Sequence, residues 1–175
     1  KTAYEISTRD WSSDVCSSDL DAVVLISAYK SCAAFIRAAR RAGYGGTFYN
    51  LSFVGTQALA DELGPEARGV VVSQVMPYPY TQSIAVVREY LDAIRRAGNG
   101  LRPNYSSMEG YIGARVLVEG LKRAHSVNAD GLINGLESLQ NHSLGGFSVS
   151  FSPTNHVGSK FVELSMLTGD GGVRR

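Results

Sequence analysis

Hydrophobic positions change their period several times along this chain, and each change marks a predicted element. Asp21–Ser27 (DAVVLIS) is a continuous apolar run rich in β-branched residues. That is the composition of a strand covered on both faces, as in a parallel sheet. Cys32, Phe35, Ile36 and Ala39 then recur at helical spacing, with Arg37, Arg40 and Arg41 on the opposite side, and Gly43 stands where a helix would be capped. Thr47–Ser52 (TFYNLS) reads as a second strand. Thr56 is placed to cap a short helix that runs to Leu63 and stops at Gly64-Pro65. Gly69–Met76 (GVVVSQVM) is a third strand. The alternation strand, helix, strand, helix, strand predicts a parallel sheet with right-handed crossovers.

Pro77-Tyr78-Pro79-Tyr80 interrupts this pattern and reads as a connection out of that lobe. Two longer helices follow. The first carries Ile84, Val87, Leu91 and Ile94 on one face and ends at Gly98. The second opens at Ser106-Ser107-Met108-Glu109, the spacing of a capping box, and presents Tyr111, Ala114, Val118 and Leu121. Asn128 is placed to cap a third helix that uses Leu132, Ile133, Leu136 and Leu139. Two alternating runs, Phe147–Phe151 and Lys160–Leu167, close the chain as strands. Three successive amphipathic helices with no strands between them need a sheet that this sequence does not supply, which implies that a sheet-forming N-terminal portion is missing.

The first twenty residues follow none of these periods. Back-translated, DWSSDVCSSDL (10–20) resembles the read primer of a common short-read sequencing adapter, and KTAYEI (1–6) resembles the flow-cell end of the same oligonucleotide, with Ser7, Thr8 and Arg9 as the translated index. Residues 1–20 are therefore set aside as a non-native tail, expected to be disordered. Their removal changes the composition. The whole chain has 17 basic and 16 acidic residues; without Lys1, Arg9, Glu5, Asp10, Asp14 and Asp19 the balance moves from +1 to +3. That mild charge forms no basic stripe, so nucleic acid is not an expected partner. Trp11 and Cys16 go with the tail, and Cys32 is left as one thiol on a helix core face, with no intrachain disulfide open to it. No apolar run approaches membrane-spanning length.

Enzyme chemistry finds little support in these residues. His125, His142 and His156 fall at a helix end and in loops without metal-ligand spacing, and no metal or cofactor is expected. SPTNH (152–156) lacks a nucleophile elbow, and neither a GxGxxG nor a P-loop occurs.

Four stretches together resemble a known family: DAVVLISAYKSCAAFIRAARRAGYGGTFYN, GTQALADELGPEARGVVVSQVMPYP, PNYSSMEGYIGARVLVEGLKRA and GGFSVSFSPTNHVGSKFVELSML. They resemble the C-terminal half of type I periplasmic binding proteins, nearest to the leucine/isoleucine/valine-binding class, the substrate-capturing subunits of ABC importers. The resemblance implies an α/β fold of two Rossmann-like lobes with parallel sheets and three hinge crossings, here N-terminally truncated. It implies that residues 21–77 are lobe two, residues 78–146 are helices of lobe one, and residues 147–175 return through a hinge to the last lobe-two strand. It also implies capture of a small polar ligand by hinge closure, ABC permease subunits as partners, a monomer when full length, and a periplasmic or lipid-anchored extracellular location. A ligand-sensing domain of a receptor, or an amide-type cytosolic sensor on the same fold, is the alternative.

Ligands of open α/β sheets bind beyond the carboxyl ends of the strands. Those ends are Ser27-Ala28-Tyr29, Asn50-Leu51-Ser52-Phe53 and Met76-Pro77-Tyr78. Ser27, Ala28, Tyr29, Asn50, Ser52, Phe53, Tyr78 and, from the later helix, Tyr105 are the candidate ligand-binding residues. They offer hydroxyls, an amide and aromatic faces to a small polar ligand with an apolar part. The amino-acid binders of the family carry an acidic residue in the loop matching Asn50–Gly55, where it pairs with the ligand's ammonium; here Ser52 takes its place. A buried ammonium without a carboxylate is costly. The departure implies a ligand other than a standard branched-chain amino acid, or an amine met by lobe one.

Genomic DNA sequenced across the Leu20–Asp21 junction is expected to continue upstream into a secretion signal and a first α/β lobe. Genomic DNA that encodes KTAYEISTRDWSSDVCSSDL would instead make the first twenty residues native.

Overall fold

A computed structural model of the chain describes residues 20–175, and the stretch read as adapter-like lies outside them except for Leu20. The chain divides into two compact units. One holds the described residues up to Ser73 together with Leu164–Arg175, and the other is Gln74–Glu163.

In the first unit, β1 (Ala22–Leu25), α1 (Tyr29–Arg41), β2 (Thr47–Asn50), α2 (Thr56–Leu63) and β3 (Val71–Gln74) follow one another as the hydrophobic pattern predicts. β1 and β2 are parallel, from Ala22↔Thr47 to Leu25↔Asn50, and β2 and β3 are parallel through Tyr49↔Val71 and Asn50↔Val72. β6 (Glu163–Leu167) lies beside β3, and β7 (Val173–Arg174) closes the order β1-β2-β3-β6-β7 as an antiparallel partner of β6. Leu167 donates its N–H to the Val70 carbonyl at 2.8 Å, which ties the returning strand to the sheet.

Ile36, Phe48, Leu59, Val70 and Val72 are fully buried between this sheet and its two helices. Arg37 fastens α1 to the end of α2 by ion pairs to Glu62 at 3.2 Å and Glu66 at 2.9 Å, so its side chain bridges two elements and is not simply solvated. α1 ends in a Schellman motif: Tyr44 N–H bonds the Ala39 carbonyl and Gly43 N–H bonds that of Arg40, both at 3.0 Å, with Gly43 at φ +90°.

Two expectations fail here. β1 is not covered on both faces: Val24 is 63% and Ile26 69% exposed. β1, β2 and β3 lie side by side in sequence order, so right-handed crossovers place α1 and α2 on the same face. The other face has no helix of the described residues against Val24, Leu164 and Met166. Nor does Thr56 cap α2. Gly55 holds the cap position at φ +78°, and Thr56 is the buried first residue of the helix.

In the second unit, α3 (Ala85–Ala97), α4 (Tyr105–Arg123) and α5 (Ala129–Glu137) precede a two-stranded antiparallel ribbon of β4 (His142–Ser143) and β5 (Ser148–Val149). The alternation at 147–151 therefore yields only a two-residue strand. Val86, Val87 and Tyr90 of α3, Met108 and Ile112 of α4, and Leu144, Phe147 and Val149 of the ribbon form one buried cluster.

The predicted capping box is displaced. α4 starts one residue before Ser106, and Asn104 caps it by accepting the Ser107 N–H at 2.9 Å. An asparagine at this position satisfies an orphan donor as well as a serine does, and it stands beside Tyr90. The Tyr90 hydroxyl accepts the Asn104 N–H at 3.0 Å and shares a hydrogen bond with the Ser107 hydroxyl at 2.6 Å. The buried stripe is consequently Tyr105, Met108 and Ile112, while Val118 and Leu121, predicted as core, are nearly half exposed. The cap at Asn128 is as predicted, with the Gly131 N–H donating to its side chain at 2.8 Å.

α4 and α5 meet through glycine. A methyl group on Gly135 would run into the Gly120 carbonyl, and one on Gly120 into Leu136. Gly135→Ala is expected to force the helices apart at a cost of ~1–3 kcal/mol. Equilibrium urea unfolding of the full-length protein measures it as a lowered midpoint.

Candidate functional site

The parallel register Leu25↔Asn50 ends β1 and β2 at the same level, so the connections that follow them share one end of the first unit. Ser27 is half-buried after β1, Ala28 is the exposed cap of α1, and Tyr29 is its half-buried first residue. On the neighbouring strand Asn50 is buried at 1% exposure. Leu51 then leads into a short 3₁₀ turn, Ser52–Val54, that leaves Ser52 half-buried and Phe53 60% exposed. Gly55 closes the turn in the left-handed region, where a side chain would be strained, and hands the chain directly to α2. The structure thus brings six of the predicted residues together, but in unequal positions. Phe53 offers an open aromatic face, Ser27, Tyr29 and Ser52 are partly accessible, and the Asn50 amide lies inside the unit.

Neither Asn50 Oδ1 nor Asn50 Nδ2 has a hydrogen-bond partner. Cys32, one turn into α1, donates its thiol to the Ser27 carbonyl at 3.3 Å. Burial pushes the Cys32 thiol above its ordinary value, only partly offset by that bond, which fits a packing role. Lys30, which the sequence reading passed over, places its ammonium 5.9 Å from the Tyr29 ring centroid. Its sole signal in the sequence is adjacency to Tyr29.

Tyr78 and Tyr105 both belong to the second unit. Their rings lie 6.4 Å apart, and Tyr80 completes an edge-on trio at 5.1 Å from Tyr78 and 6.2 Å from Tyr105. Tyr80 was missed by treating Pro77–Tyr80 as a mere connection; its alternation of proline and tyrosine was the available clue. The Tyr90–Asn104 hydrogen bond fixes the start of α4 and with it the Tyr105 ring. Among the described residues no group of three or more His, Cys, Asp or Glu could hold a metal ion.

Residues 2–169 match the family model described as periplasmic binding protein. The chain belongs to the periplasmic binding protein family. This family consists of binding proteins, not enzymes. The match takes in all but the first residue of the stretch read as adapter-like. Among solved structures, the chain is 30% identical to a possible leucine/isoleucine/valine-binding protein from Rhodopirellula baltica SH 1, with a TM-score of 0.87 over 95% of this chain and 46% of that one. It is 27% identical to an extracellular ligand-binding receptor from Verminephrobacter eiseniae ef01-2, with a TM-score of 0.82 over 94% and 47%. A substrate-binding periplasmic protein from Ralstonia solanacearum is 26% identical, with a TM-score of 0.80 over 94% and 48%. Comparison with curated proteins gives no match. The chain spans about half the length of the solved structures it matches. The α/β type I periplasmic binding protein fold expected from the sequence is thereby established.

The buried, protonated Cys32 of this periplasmic binding protein is expected to resist alkylation. Iodoacetamide treatment followed by peptide mass spectrometry should leave position 32 unmodified in the native full-length protein and label it in urea; rapid native labelling would place the thiol at an accessible site.

Proposed function

We propose that the whole protein is an extracytoplasmic solute-binding subunit of an ABC importer that captures a small polar ligand, an amino acid or a related amide or carboxylate. It acts as a monomer with permease subunits as partners, by the hinge closure that the family resemblance implies. The observation that carries the reading is the convergence of Ser27, Tyr29, Ser52 and Phe53 beyond the carboxyl ends of two parallel strands, the place where open α/β sheets receive ligands. Family membership and a structural neighbour described as a possible leucine/isoleucine/valine-binding protein support the ligand class. Residues 21–77 and the final strand are assigned to one lobe and the 78–146 helices to the other. Tyr78 and Tyr105 are assigned to ligand contact from the second unit, on the strength of their mutual packing.

A thermal-shift panel of amino acids, amides and carboxylates on the full-length protein tests this. A ligand at a hundredfold excess over its Kd stabilises the native state by about 2.7 kcal/mol, read as a rise of several degrees in Tm. Tyr29→Ala and Ser52→Ala are expected to weaken that ligand at least tenfold. A panel without any stabilising solute overturns the solute-binding reading, and stabilisation untouched by both substitutions overturns the site.

A further inference from the structure

We infer that Asn99-Gly100 is a site of self-catalysed deamidation, at which the native protein converts an exposed amide to aspartyl and isoaspartyl forms. The inference is independent of the solute-binding reading above.

The reaction needs only these two residues and water. The Gly100 backbone nitrogen gives up its proton to solvent base and bonds to Cγ of Asn99. Ammonia leaves, taking up a proton, and a five-membered succinimide ring is closed. Water then opens one of the two ring carbonyls. Attack at the former side-chain carbonyl restores the normal backbone with an aspartyl residue. Attack at the main-chain carbonyl leaves the backbone running through Cγ, an isoaspartyl linkage. In sum, one amide and one water are consumed, and one carboxylate and one ammonium ion are formed.

The attacking nitrogen must be unhindered, and glycine, without a Cβ, hinders it least. Asn-Gly occurs twice in the chain, at 99–100 and at 134–135, and every other asparagine is followed by a residue that carries a side chain. The two copies have the same chemistry and opposite surroundings. Asn134 and Gly135 lie inside α5, where an interior N–H is committed to the carbonyl four residues earlier, here that of Gly131. Gly135 is also buried, so close to α4 that a methyl group on it would meet the Gly120 carbonyl. Ring closure there requires α5 to unwind and part from α4.

Asn99 and Gly100 follow Gly98, the cap of α3, and all three are exposed. The flanking glycines stand at φ +74° and +67°, and a methyl group on either would meet no neighbour among the described residues. The Gly100 N–H bonds the Gly98 carbonyl, within one tight turn, so its release disturbs neither α3 nor α4. The product places a negative charge just past the last turn of α3, which carries Arg95 and Arg96 as counter-charges. An isoaspartyl linkage lengthens the backbone only in an exposed connection, where insertions are tolerated. The fold is therefore retained while the protein passes to a more acidic form.

The test is a time course on the full-length protein in warm, mildly alkaline buffer, read by peptide mass spectrometry. Position 99 is expected to gain the mass difference between amide and acid, as a mixture of aspartyl and isoaspartyl peptides, at least tenfold faster than position 134. In urea, where neither copy is protected, the two are expected to convert at similar rates. Asn99→Gln, whose longer side chain cannot close the five-membered ring, should remove the early acidic species on isoelectric focusing. Position 134 converting as fast as position 99 in the native protein, position 99 remaining unchanged, a tenfold gap that persists in urea, or an acidic species that forms equally in Asn99→Gln would each overturn the inference.

Discussion

The handedness of the strand–helix–strand crossover is the constraint on which the first unit depends. Because β1, β2 and β3 are laid down in order, each crossover must turn the same way, and α1 and α2 arrive on one face. That placement buries Ile36, Phe48, Leu59 and Val72. It also brings both helix N-termini to the carboxyl ends of the strands, beside Ser27, Tyr29 and Ser52. Core and candidate site are thus two consequences of one topological choice. The same choice leaves the opposite face of the sheet, with Val24, Leu164 and Met166, without helical cover among the described residues.

The second unit depends on a more local device. Tyr90 is almost fully buried, yet its hydroxyl is satisfied by the backbone of Asn104 and the side chain of Ser107. One residue therefore supplies apolar bulk to the α3–α4 core and a polar handle for the start of α4. From that start follows the rotation of the whole helix. Tyr105, Met108 and Ile112 turn inward, while the later residues Val118 and Leu121 turn out and leave Gly120 to approach α5.

The strand ends of the first unit carry donors and acceptors together. α1 and α2 start without side-chain caps, Asn50 is buried with both Oδ1 and Nδ2 unpartnered, and the Ser27 and Ser52 hydroxyls can give or take a hydrogen bond. Buried polar atoms without partners are uncommon because leaving them unpaired away from water is disfavoured.

Much of this was legible in the chain itself. Period-two and period-3.6 patterns located β1, α1, β2, α2 and β3. Gly43 and Asn128 marked helix ends that the structure retains, because caps are satisfied by neighbours in sequence. The four stretches resembling periplasmic binding proteins named the family that the comparisons establish. Tertiary structure decided what depends on distant partners. Val24 and Ile26 look like core in the sequence, yet they are exposed because no described helix reaches their face. Asn104, not Ser106, caps α4 because Tyr90, fourteen residues earlier, holds it. Asn50 reads as a loop-edge ligand group and is found buried inside the unit. Local propensity fixes which segments are strands and helices; only the packing of one against another fixes which face each turns inward and which polar atoms are left without a partner.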